Sequence, residues 1–350
     1  MSEKIKLLYM GPDYPHVLDK SKKVDIRAVA KLSELYEMPV RNIAERHFME
    51  AYKSICKGDY DSSRKYLKRY RKLKFLANEL VTSFETYLET LITKKITILD
   101  TTADDIAERI NQLGIKLFLV NGWTMLPASF LSIPELGSIN VHPSKLPQYR
   151  GSLPLLWVLK NKDTTSAISY ILLNAAMDGG KLIRQVEYTV DKNDDPISLE
   201  KKTMNVINDS LVETVDKYVE GELTPIDQDH EKASKTARYN NYKKIDFLEE
   251  TARDINHKII NYAYYDPTAP SYFKLAGQKI KLSGCIGPVQ SSIAPGTIQM
   301  NFPFLYIGAK DGALKFSMIE NFGLKDTAKI ISMLLIKDPF SFQKEITISS

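Results

Sequence analysis

The chain has 350 residues, 43% of them hydrophobic, and a formal net charge of +5; this length allows two domains, and this charge permits an anionic partner without requiring one. Its two cysteines, Cys56 and Cys285, belong to no CxxC motif or Cys/His cluster, which argues against a disulfide framework and a zinc site. No segment resembles a signal peptide or a membrane span, so we expect a soluble cytoplasmic protein with no membrane partner and no metal.

The first part of the chain reads as a strand followed by helix. Residues 4–10, KIKLLYM, are β-prone and end at Gly11 and Pro12, which suits the first strand of an α/β sheet. From Val24 to about Ile92 apolar residues recur at helical spacing, and we predict helices throughout. Within this stretch one helical face is shared by Tyr66, Tyr70, Leu73, Ala77 and Leu80.

This helical stretch contains a strongly basic run. Seven of the eleven residues from Arg64 to Lys74 are lysine or arginine. Two interpretations are open: a helix that contacts phosphate groups, or a helix face that is simply solvated.

The middle of the chain predicts a parallel sheet. Ile96–Leu99 reads as a strand, Thr102 and Asp105 begin a helix that Gly114 ends, and residues 115–120, IKLFLV, read as a central strand. Strand, helix and strand in this order imply a right-handed crossover and a doubly wound sheet. Ligands bind beyond the carboxyl ends of the strands in such sheets, which points to residues 121–127 and to the segment after Ser138–Val141.

The remainder predicts a second, smaller domain. A helix at about Leu199–Glu220 is followed by a polar linker at residues 222–244 and a further helix at Phe247–Tyr265. Short β-like segments then follow, including a hairpin signal at Asp311-Gly312, and suggest a small barrel or an open sandwich. We therefore predict a domain over residues 1–221, the linker, and a β-rich domain over residues 245–350.

The residues that can carry chemistry are Asn140, His142 and Asp178. Asn140 and His142 are two apart on a predicted strand and so emerge on one face. If neighbouring parallel strands bring the loops together, Asp178, after the predicted strand Ala167–Leu173, meets them. The trio lacks a placed nucleophile, but it can move protons and stabilise an oxyanion, which is what direct acyl transfer to an amine requires.

The segments INVHPSKLPQYRG and SAISYILLNAAMDGGKLIRQ resemble the formyltransferases that use 10-formyltetrahydrofolate. The family motif is Asn-x-His-x-Ser-x-Leu-Pro-x-Tyr-Arg-Gly with a downstream Asp-x-Gly. The resemblance implies that Asn140, His142 and Asp178 are catalytic and that the folate is the formyl donor. It also implies that the loop at residues 121–127 flanks the pterin ring of the folate. The cofactor-contact candidates in that loop are Gly122, Trp123, Met125 and Leu126.

The expected fold class is therefore α/β, with a doubly wound, mostly parallel sheet of formyltransferase type. To it are added a helical insertion at about residues 48–92, foreign to the usual family, and a small C-terminal β-rich, barrel-like domain. Ser169 and Ile171 depart from the family pattern, which has Thr and a polar residue at these positions, and the changes bear on how Asp178 is braced.

The N-terminal part admits two alignments. KIKLLYMGPDYP is either the first strand and its loop, followed by divergent helices, or the second strand. In the second case PDYPHVLDKSKK is the basic loop that methionyl-tRNA formyltransferases use on tRNA, and the family's first strand and helix are missing.

Three hypotheses on function follow. The acceptor is methionyl-tRNA, or it is an amino-sugar nucleotide or another small amine, or the chain is an inactive binding protein on this scaffold. Retention of all three polar residues argues against the last. The basic segments favour tRNA, and the candidate acceptor-binding residues are Lys20, Lys22, Lys23, Arg64 and Lys68.

Overall fold

The computed structural model describes residues 3–11, 15–32, 42–74, 84–236, 244–265, 271–275, 277–301, 303–318, 320–322, 324–337 and 345–347. The chain divides into two compact units. The first comprises Met1–Gly151, Ser166–Tyr188 and Thr203–Ser234, and the second comprises Ser152–Thr165, Thr189–Lys202 and Lys235–Ser350. The domain limits expected at residues 221 and 245 stay a prediction.

The first unit is built on a seven-stranded sheet. Its strands are β1 (Ile5–Met10), β2 (Val24–Ala30), β3 (Thr97–Leu99), β4 (Ile115–Asn121), β5 (Ser138–His142), β6 (Thr165–Leu172) and β7 (Leu182–Thr189). They lie side by side in the order β3-β2-β1-β4-β5-β6-β7. The chain builds outward from β1 toward β3 and then from β4 toward β7, which makes the sheet doubly wound with its reversal point between β1 and β4.

Strand β1 lies inside this sheet, third from one edge. It pairs in parallel with β2 on one side and with β4 on the other, and Leu7, Leu8, Tyr9 and Met10 are buried. Of the two N-terminal alignments, the structure therefore supports the one in which KIKLLYM is the first strand. In its described part, the connection to β2 holds a 3-10 helix, His16–Lys20, where a crossover helix is usual.

The prediction of a helix from Val24 onward is wrong for its first seven residues, which form β2. Val24 and Ile26 are buried whereas Asp25 and Arg27 are exposed, which is the alternation of a strand. Pairing with β1 and β3 satisfies the backbone of β2 on both sides, so tertiary context decides the conformation. Residues 33–41, also predicted as helix, lie outside the described residues.

Within the described residues between β2 and β3 lie the helices α1 (Ile43–Cys56), α2 (Tyr60–Leu73) and α3 (Glu85–Lys94). They lie within the stretch that the sequence predicts to be helical. The side chains of Asn42 and Asp59 cap α1 and α2 by accepting hydrogen bonds from backbone N–H groups three residues on. Ala77 and Leu80, which the sequence places on the face of Tyr70, lie outside the described residues.

Helices cover both faces of the sheet. The remaining helices that pack on it are α4 (Ile106–Gln112), α5 (Ala128–Leu131) and α7 (Pro196–Val219), while α6 (Pro154–Asn161) belongs to the second unit. Leu7 and Leu119 face α1, α2, α3 and α7, whereas Leu8 and Phe118 on the opposite face pack with α4 and with Phe130 of α5. Burial on both faces explains why β1 and β4 are nearly continuous apolar runs.

Strand β6 runs antiparallel to β5, with Ile139 opposite Leu172 and His142 opposite Ser169. The expectation that parallel neighbours bring the loops of His142 and Asp178 together is therefore wrong in this detail. A mostly parallel sheet commonly carries an antiparallel strand toward its edge, and here Asp178 lies in the turn that joins β6 to β7.

The second unit contains α6, α8 (Ala252–Tyr265), α9 (Leu324–Lys337) and two antiparallel sheets. Strands β8 (Ser271–Leu275) and β9 (Gln278–Leu282) form a hairpin. A five-stranded sheet has the order β10-β13-β12-β11-β14. Its strands are β10 (Gly287–Val289), β11 (Thr297–Asn301), β12 (Phe304–Ala309), β13 (Gly312–Ser317) and β14 (Glu345–Thr347). The turn between β12 and β13 contains Asp311, where the sequence predicts a hairpin.

The expected fold class is confirmed: a mostly parallel sheet with helices, followed by an antiparallel β-rich region. None of the helices in the described part of the chain combines the length and the apolar composition that a membrane span requires.

Candidate active site

The first unit brings the predicted trio together around the carboxylate of Asp178. Asn140 Nδ2 donates a hydrogen bond to Asp178 Oδ1 over 3.3 Å. Nδ1 of His142 lies 3.7 Å from Asp178 Oδ2, which is an ion-pair distance but too long for a hydrogen bond. The backbone N–H of Gly151 donates to the same Oδ2 over 2.8 Å. Amide, imidazole and carboxylate therefore share one site.

The hydrogen bonds of His142 fix the orientation of its ring. Its Nε2 lies 3.0 Å from the carbonyl oxygen of Tyr149, an acceptor only, so Nε2 carries a proton. Nδ1 is then the nitrogen that can take up a second proton, and it faces the Asp178 carboxylate. The residue is 4% exposed, so this pair is largely shielded from water. The ring thus presents its unprotonated nitrogen to the Asp178 carboxylate.

Left-handed backbone conformations shape the two loops of the site. Tyr149 has φ 60°, Gly151 has φ 111° and Asp178 has φ 46°. Non-glycine residues adopt this region only when surrounding contacts impose it. At Tyr149 it accompanies the carbonyl contact with His142, and at Gly151 it accompanies the N–H contact with Asp178.

The hydroxyl of Ser169 holds in place the loop of residues 143–151, which follows β5 and is called the motif loop. It donates to the carbonyl oxygen of Ser144 over 2.6 Å and accepts from the N–H of Leu146 and from Gln185 Nε2. The departure from Thr at this position therefore preserves the hydroxyl. Ile171, the other departure, is fully buried on β6 and pairs with Asn140 in the strand register.

Gln228 and Arg150 form a buried clamp that the sequence does not reveal. Gln228 Nε2 donates to the carbonyl oxygens of Asp178 and Gly180 over 2.9 and 2.7 Å. Gln228 Oε1 in turn accepts from Arg150 Nε and Nη2 over 3.2 and 2.7 Å. Both side chains are 7% exposed, so each supplies the partner that the other needs when buried. The clamp ties the motif loop to the turn that carries Asp178.

Residues 228–234, at the start of the stretch predicted as a linker, also fasten the motif loop. Arg150 Nη2 donates to His230 Nδ1 over 3.0 Å. The backbone N–H groups of Tyr149 and Arg150 donate to Ser234 Oγ and Ser234 O, each over 2.9 Å. In the sequence only Arg150 indicates that such partners exist, because a buried guanidinium requires several acceptors.

A separate cavity of about 490 Å³ opens in the first unit beyond the ends of β3 and β4. Trp123, Met125 and Leu126, three of the four candidate cofactor contacts, line it together with Thr102 and Phe130. Gly122 is absent from the lining and has φ 65°, a conformation that lets the chain turn at the end of β4. The volume is within the usual range of ligand pockets, about 300–1,000 Å³.

The candidate acceptor-binding residues lie in two different elements. Lys20, the last residue of the 3-10 helix, and Lys22 are exposed, but Lys23 is paired with Glu220. On α2, Arg64 lies 3.5 Å from Asp61, whereas Lys68 is exposed. Among the described residues no three His, Cys, Asp or Glu side chains are grouped as metal ligands would be.

Comparison with known proteins places this site in a family. The family model described as "Formyl transferase" matches residues 72–215, which include Asn140, His142 and Asp178. A methionyl-tRNA formyltransferase of Syntrophomonas wolfei is 30% identical over 222 residues, which are 62% of this chain and 70% of the relative. That of Thermodesulfovibrio yellowstonii is 27% identical over 223 residues, 63% of this chain and 71% of the relative.

Solved structures share the fold at low sequence identity. WlaRD, a sugar 3N-formyl transferase solved in the presence of dTDP and 5-N-formyl-THF, has a TM-score of 0.54 at 13% identity, over 90% of this chain and 98% of that one. The N-formyltransferase from Helicobacter canadensis, in complex with folinic acid and dTDP-3-aminofucose, has a TM-score of 0.55 at 13% identity, over 89% and 98% of the two chains.

Proposed function

The chain belongs to the formyl transferase family, and on this premise we propose that it transfers the formyl group of 10-formyltetrahydrofolate directly to the amine of methionyl-tRNA, in the cytoplasm. The observation that carries the proposal is that Asn140 and His142 converge on the largely buried carboxylate of Asp178. The free cysteines, Cys56 and Cys285, agree with a reducing compartment.

The trio supports direct transfer because each member serves one need of the reaction. Asn140 has a second amide N–H, besides the one given to Asp178, that can donate to the formyl oxygen as negative charge develops there. A bond forms between the amine nitrogen and the formyl carbon, and the bond from that carbon to N10 of the folate breaks. The amine loses one proton and N10 gains one. His142 and Asp178 hold this proton while it passes from the amine nitrogen to N10.

The cavity beyond β3 and β4 is the proposed donor site. Trp123, Met125 and Leu126 are proposed to hold the pterin ring, since Trp123 and Leu126 supply apolar surface for a flat ring, and Gly122 is proposed to turn the chain that presents them. Met125 is 75% exposed, so it has accessible area to lose when a ligand binds. When bound there, the folate supplies the activated formyl group, and the protein supplies orientation, charge stabilisation and proton handling.

Methionyl-tRNA is proposed as the acceptor because the sequence relatives reported above carry that name. An amino-sugar nucleotide is the second candidate, because the sugar enzymes match this fold over nearly their whole length. Lys20, Lys22, Lys23, Arg64 and Lys68 are the proposed acceptor contacts; of these, Lys23 must leave Glu220 and Arg64 must leave Asp61 to serve.

The test measures 10-formyltetrahydrofolate turnover with methionyl-tRNA and with a panel of amino-sugar nucleotides. We expect His142→Ala and Asp178→Ala to lower kcat roughly 10²- to 10⁴-fold with the true acceptor. His16→Ala, at an exposed histidine of the same unit, is the matched control and should leave kcat unchanged. The proposal of formyl transfer fails if no acceptor gives turnover above that of the two site variants, and the proposal of tRNA fails if only a sugar nucleotide does.

A further inference from the structure

Helix α2 presents a row of cations that its own surroundings do not neutralise. We define the basic stripe as Lys65, Lys68, Arg69 and Lys72. The four residues follow one another at i, i+3, i+4 and i+7, so they lie along one side of the helix. All four are exposed.

The other two cations of α2 are paired, which sets the stripe apart. Arg71 donates to Glu85 and to Glu89 of α3, each over 2.6 Å, and Arg64 lies 3.5 Å from Asp61. Among the residues that the structure describes, no acidic side chain lies within ion-pair distance of the basic stripe. Its positive charge is therefore available to a partner.

Packing fixes the direction in which the stripe faces. Ser63, Leu67 and Tyr70 of α2 are buried, and Ser63 Oγ donates to the carbonyl oxygen of Ala51 in α1 over 2.8 Å. The ring of Tyr70 packs edge-on against Phe48 with centroids 5.3 Å apart. Because α2 cannot rotate without exposing these residues, the basic stripe is held toward solvent.

This arrangement works against the helix itself. Like charges three and four residues apart destabilise an isolated helix, and the stripe contains four such pairs: 65/68, 65/69, 68/72 and 69/72. In the described part of the chain no ion pair offsets that repulsion, and Asp59 interacts with Lys65 only at longer range. A polyanion bound along the stripe would offset it.

The side chains suit phosphate groups. Arg69 lies over the ring of Tyr66 at 5.6 Å, which steadies a guanidinium whose N–H edge can grip a phosphate in bidentate fashion. The stripe runs about 10 Å along the axis, at about 1.5 Å per residue, which is long enough to meet several phosphates of one nucleic-acid strand.

The chemistry around the stripe favours nucleic acid over a membrane. An interfacial helix needs exposed apolar residues beside its cations. None of the large apolar side chains found exposed in the described part of the chain lies on α2. We infer that the basic stripe binds the phosphate backbone of RNA. This inference rests on the proposed function, because it takes that RNA to be the tRNA acceptor.

The test compares the full-length protein with a variant in which Lys65, Lys68, Arg69 and Lys72 are all replaced by Gln, by measuring tRNA affinity from 50 to 300 mM salt. The matched control replaces four lysines of the same unit that are paired with acidic residues: Lys116, Lys181, Lys217 and Lys232. It removes the same formal charge from other surfaces. A second variant, Lys68→Glu with Arg69→Glu, reverses the charge at the centre of the stripe.

We expect the stripe variant to bind tRNA at least about tenfold more weakly at 100 mM salt and to lower the slope of log K against log salt by about 3. KM for the tRNA should rise while kcat and folate binding stay the same. Duplex DNA of similar length should show the same salt effect, since phosphates lack sequence information.

The inference is overturned if the stripe variant keeps the wild-type affinity and slope, if the control variant loses as much, or if wild-type protein does not bind tRNA at 50 mM salt. Replacement by Gln keeps helix propensity, so thermal melting of both variants should match the wild type. Failure of the proposed function is distinguishable: there, wild-type protein binds tRNA through the stripe but formylates only another acceptor.

Discussion

At the scale of single residues, the clamp of Arg150 and Gln228 explains how a carboxylate is held in a strained turn. Asp178 and Gly180 present their carbonyl oxygens to one amide, and that amide is oriented by a guanidinium on its other side. Because Asp178 has φ 46°, its backbone needs such support to stay in place. Gln228 is thus a positioning residue for Asp178.

Replacement of Gln228 by Glu tests the donor side of this clamp apart from its acceptor side. Glu keeps an acceptor for Arg150 but loses both donors, so its carboxylate faces the carbonyl oxygens of Asp178 and Gly180. We expect kcat to fall roughly 10- to 100-fold, as a small misplacement of Asp178 would cause, with KM for folate little changed.

Gln228→Ala serves as the companion variant, because it removes the donors without adding a charge. If both variants show wild-type kcat while their melting temperatures fall, Gln228 has only a structural role.

Gly180 should tolerate no side chain. A Cβ there would lie 1.7 Å from the carbonyl oxygen of Leu172, so the turn would have to move. We expect Gly180→Ala to cost about 1–3 kcal/mol of stability and most of the activity. The control is Gly221→Ala, where a Cβ meets nothing within 4 Å and φ is 76°. This variant strains only the left-handed backbone, so we expect it to retain its activity. Equal activity losses in the two variants would contradict this account.

The sequence predicts the trio but not the clamp, for a physical reason. Asn140, His142 and Asp178 are polar residues at strand ends, where doubly wound sheets bind ligands, and their motif is specific. Gln228 acts on backbone carbonyls 48 and 50 residues away in the chain. Every residue has such a carbonyl, so the amino-acid type does not show which side chain binds it. A glutamine in a polar stretch looks like any solvated side chain.

At the scale of elements, β2 shows where periodicity misleads. In the run Val24–Ala30 the apolar residues fit both a helical face and an alternating strand, since Ala28, Val29 and Ala30 are all apolar. Only the neighbouring strands β1 and β3 decide between them. By contrast, α7 was predictable because it is long, and β4 because a short apolar run directly after the helix stop at Gly114 is typical of a central parallel strand.

The ends of β2 and β3 are joined by an ion pair that should make stability depend on acid. Lys31, which donates to Asp100, and the hydroxyl of Thr102 lower the pKa of the Asp100 carboxyl from 3.8 to about 2. Because the folded pKa is the lower one, this stabilisation is complete above about pH 4 and is lost as the pH falls toward 2.

We expect Asp100→Asn to lower the melting temperature at pH 7 by about 2–4 °C and to have a much smaller effect near pH 2.5. Asp104→Asn, at an exposed aspartate in the same loop, is the control and should show no such pH dependence. A difference between Asp100→Asn and wild type that stays constant from pH 7 to pH 2.5 would rule out the ion pair as its source.

At the scale of the whole molecule, the two units share the chain in an interleaved way. The chain passes from one unit to the other at residues 151, 165, 188, 202 and 234. Residues 152–165 and 189–202 therefore depend for their packing on a unit whose remainder begins at residue 235. Within that unit Lys162 pairs with Asp254 over 2.7 Å, and Arg253 donates to the carbonyl oxygen of Lys192 over 3.1 Å.

A chain that ends after Ser234 should fold poorly. Removal of residues 235–350 leaves α6 and residues 189–202 without their own core, which exposes apolar surface. We expect aggregation or loss of a cooperative melting transition, as seen by light scattering and circular dichroism. Co-expression of residues 235–350 as a separate polypeptide should restore solubility. A soluble truncated chain with the wild-type melting temperature would show that residues 152–165 and 189–202 do not need residues 235–350 to pack.

This path of the chain also bears on how the protein can have evolved. A segment added at one end of a gene can be gained or lost by a single recombination event. The second unit cannot be exchanged in that way, because part of it is encoded within the first. Its residues 152–165 and 189–202 must change in step with residues 235–350, so we expect chimaeras between related genes to fail when a single crossover falls at residue 235.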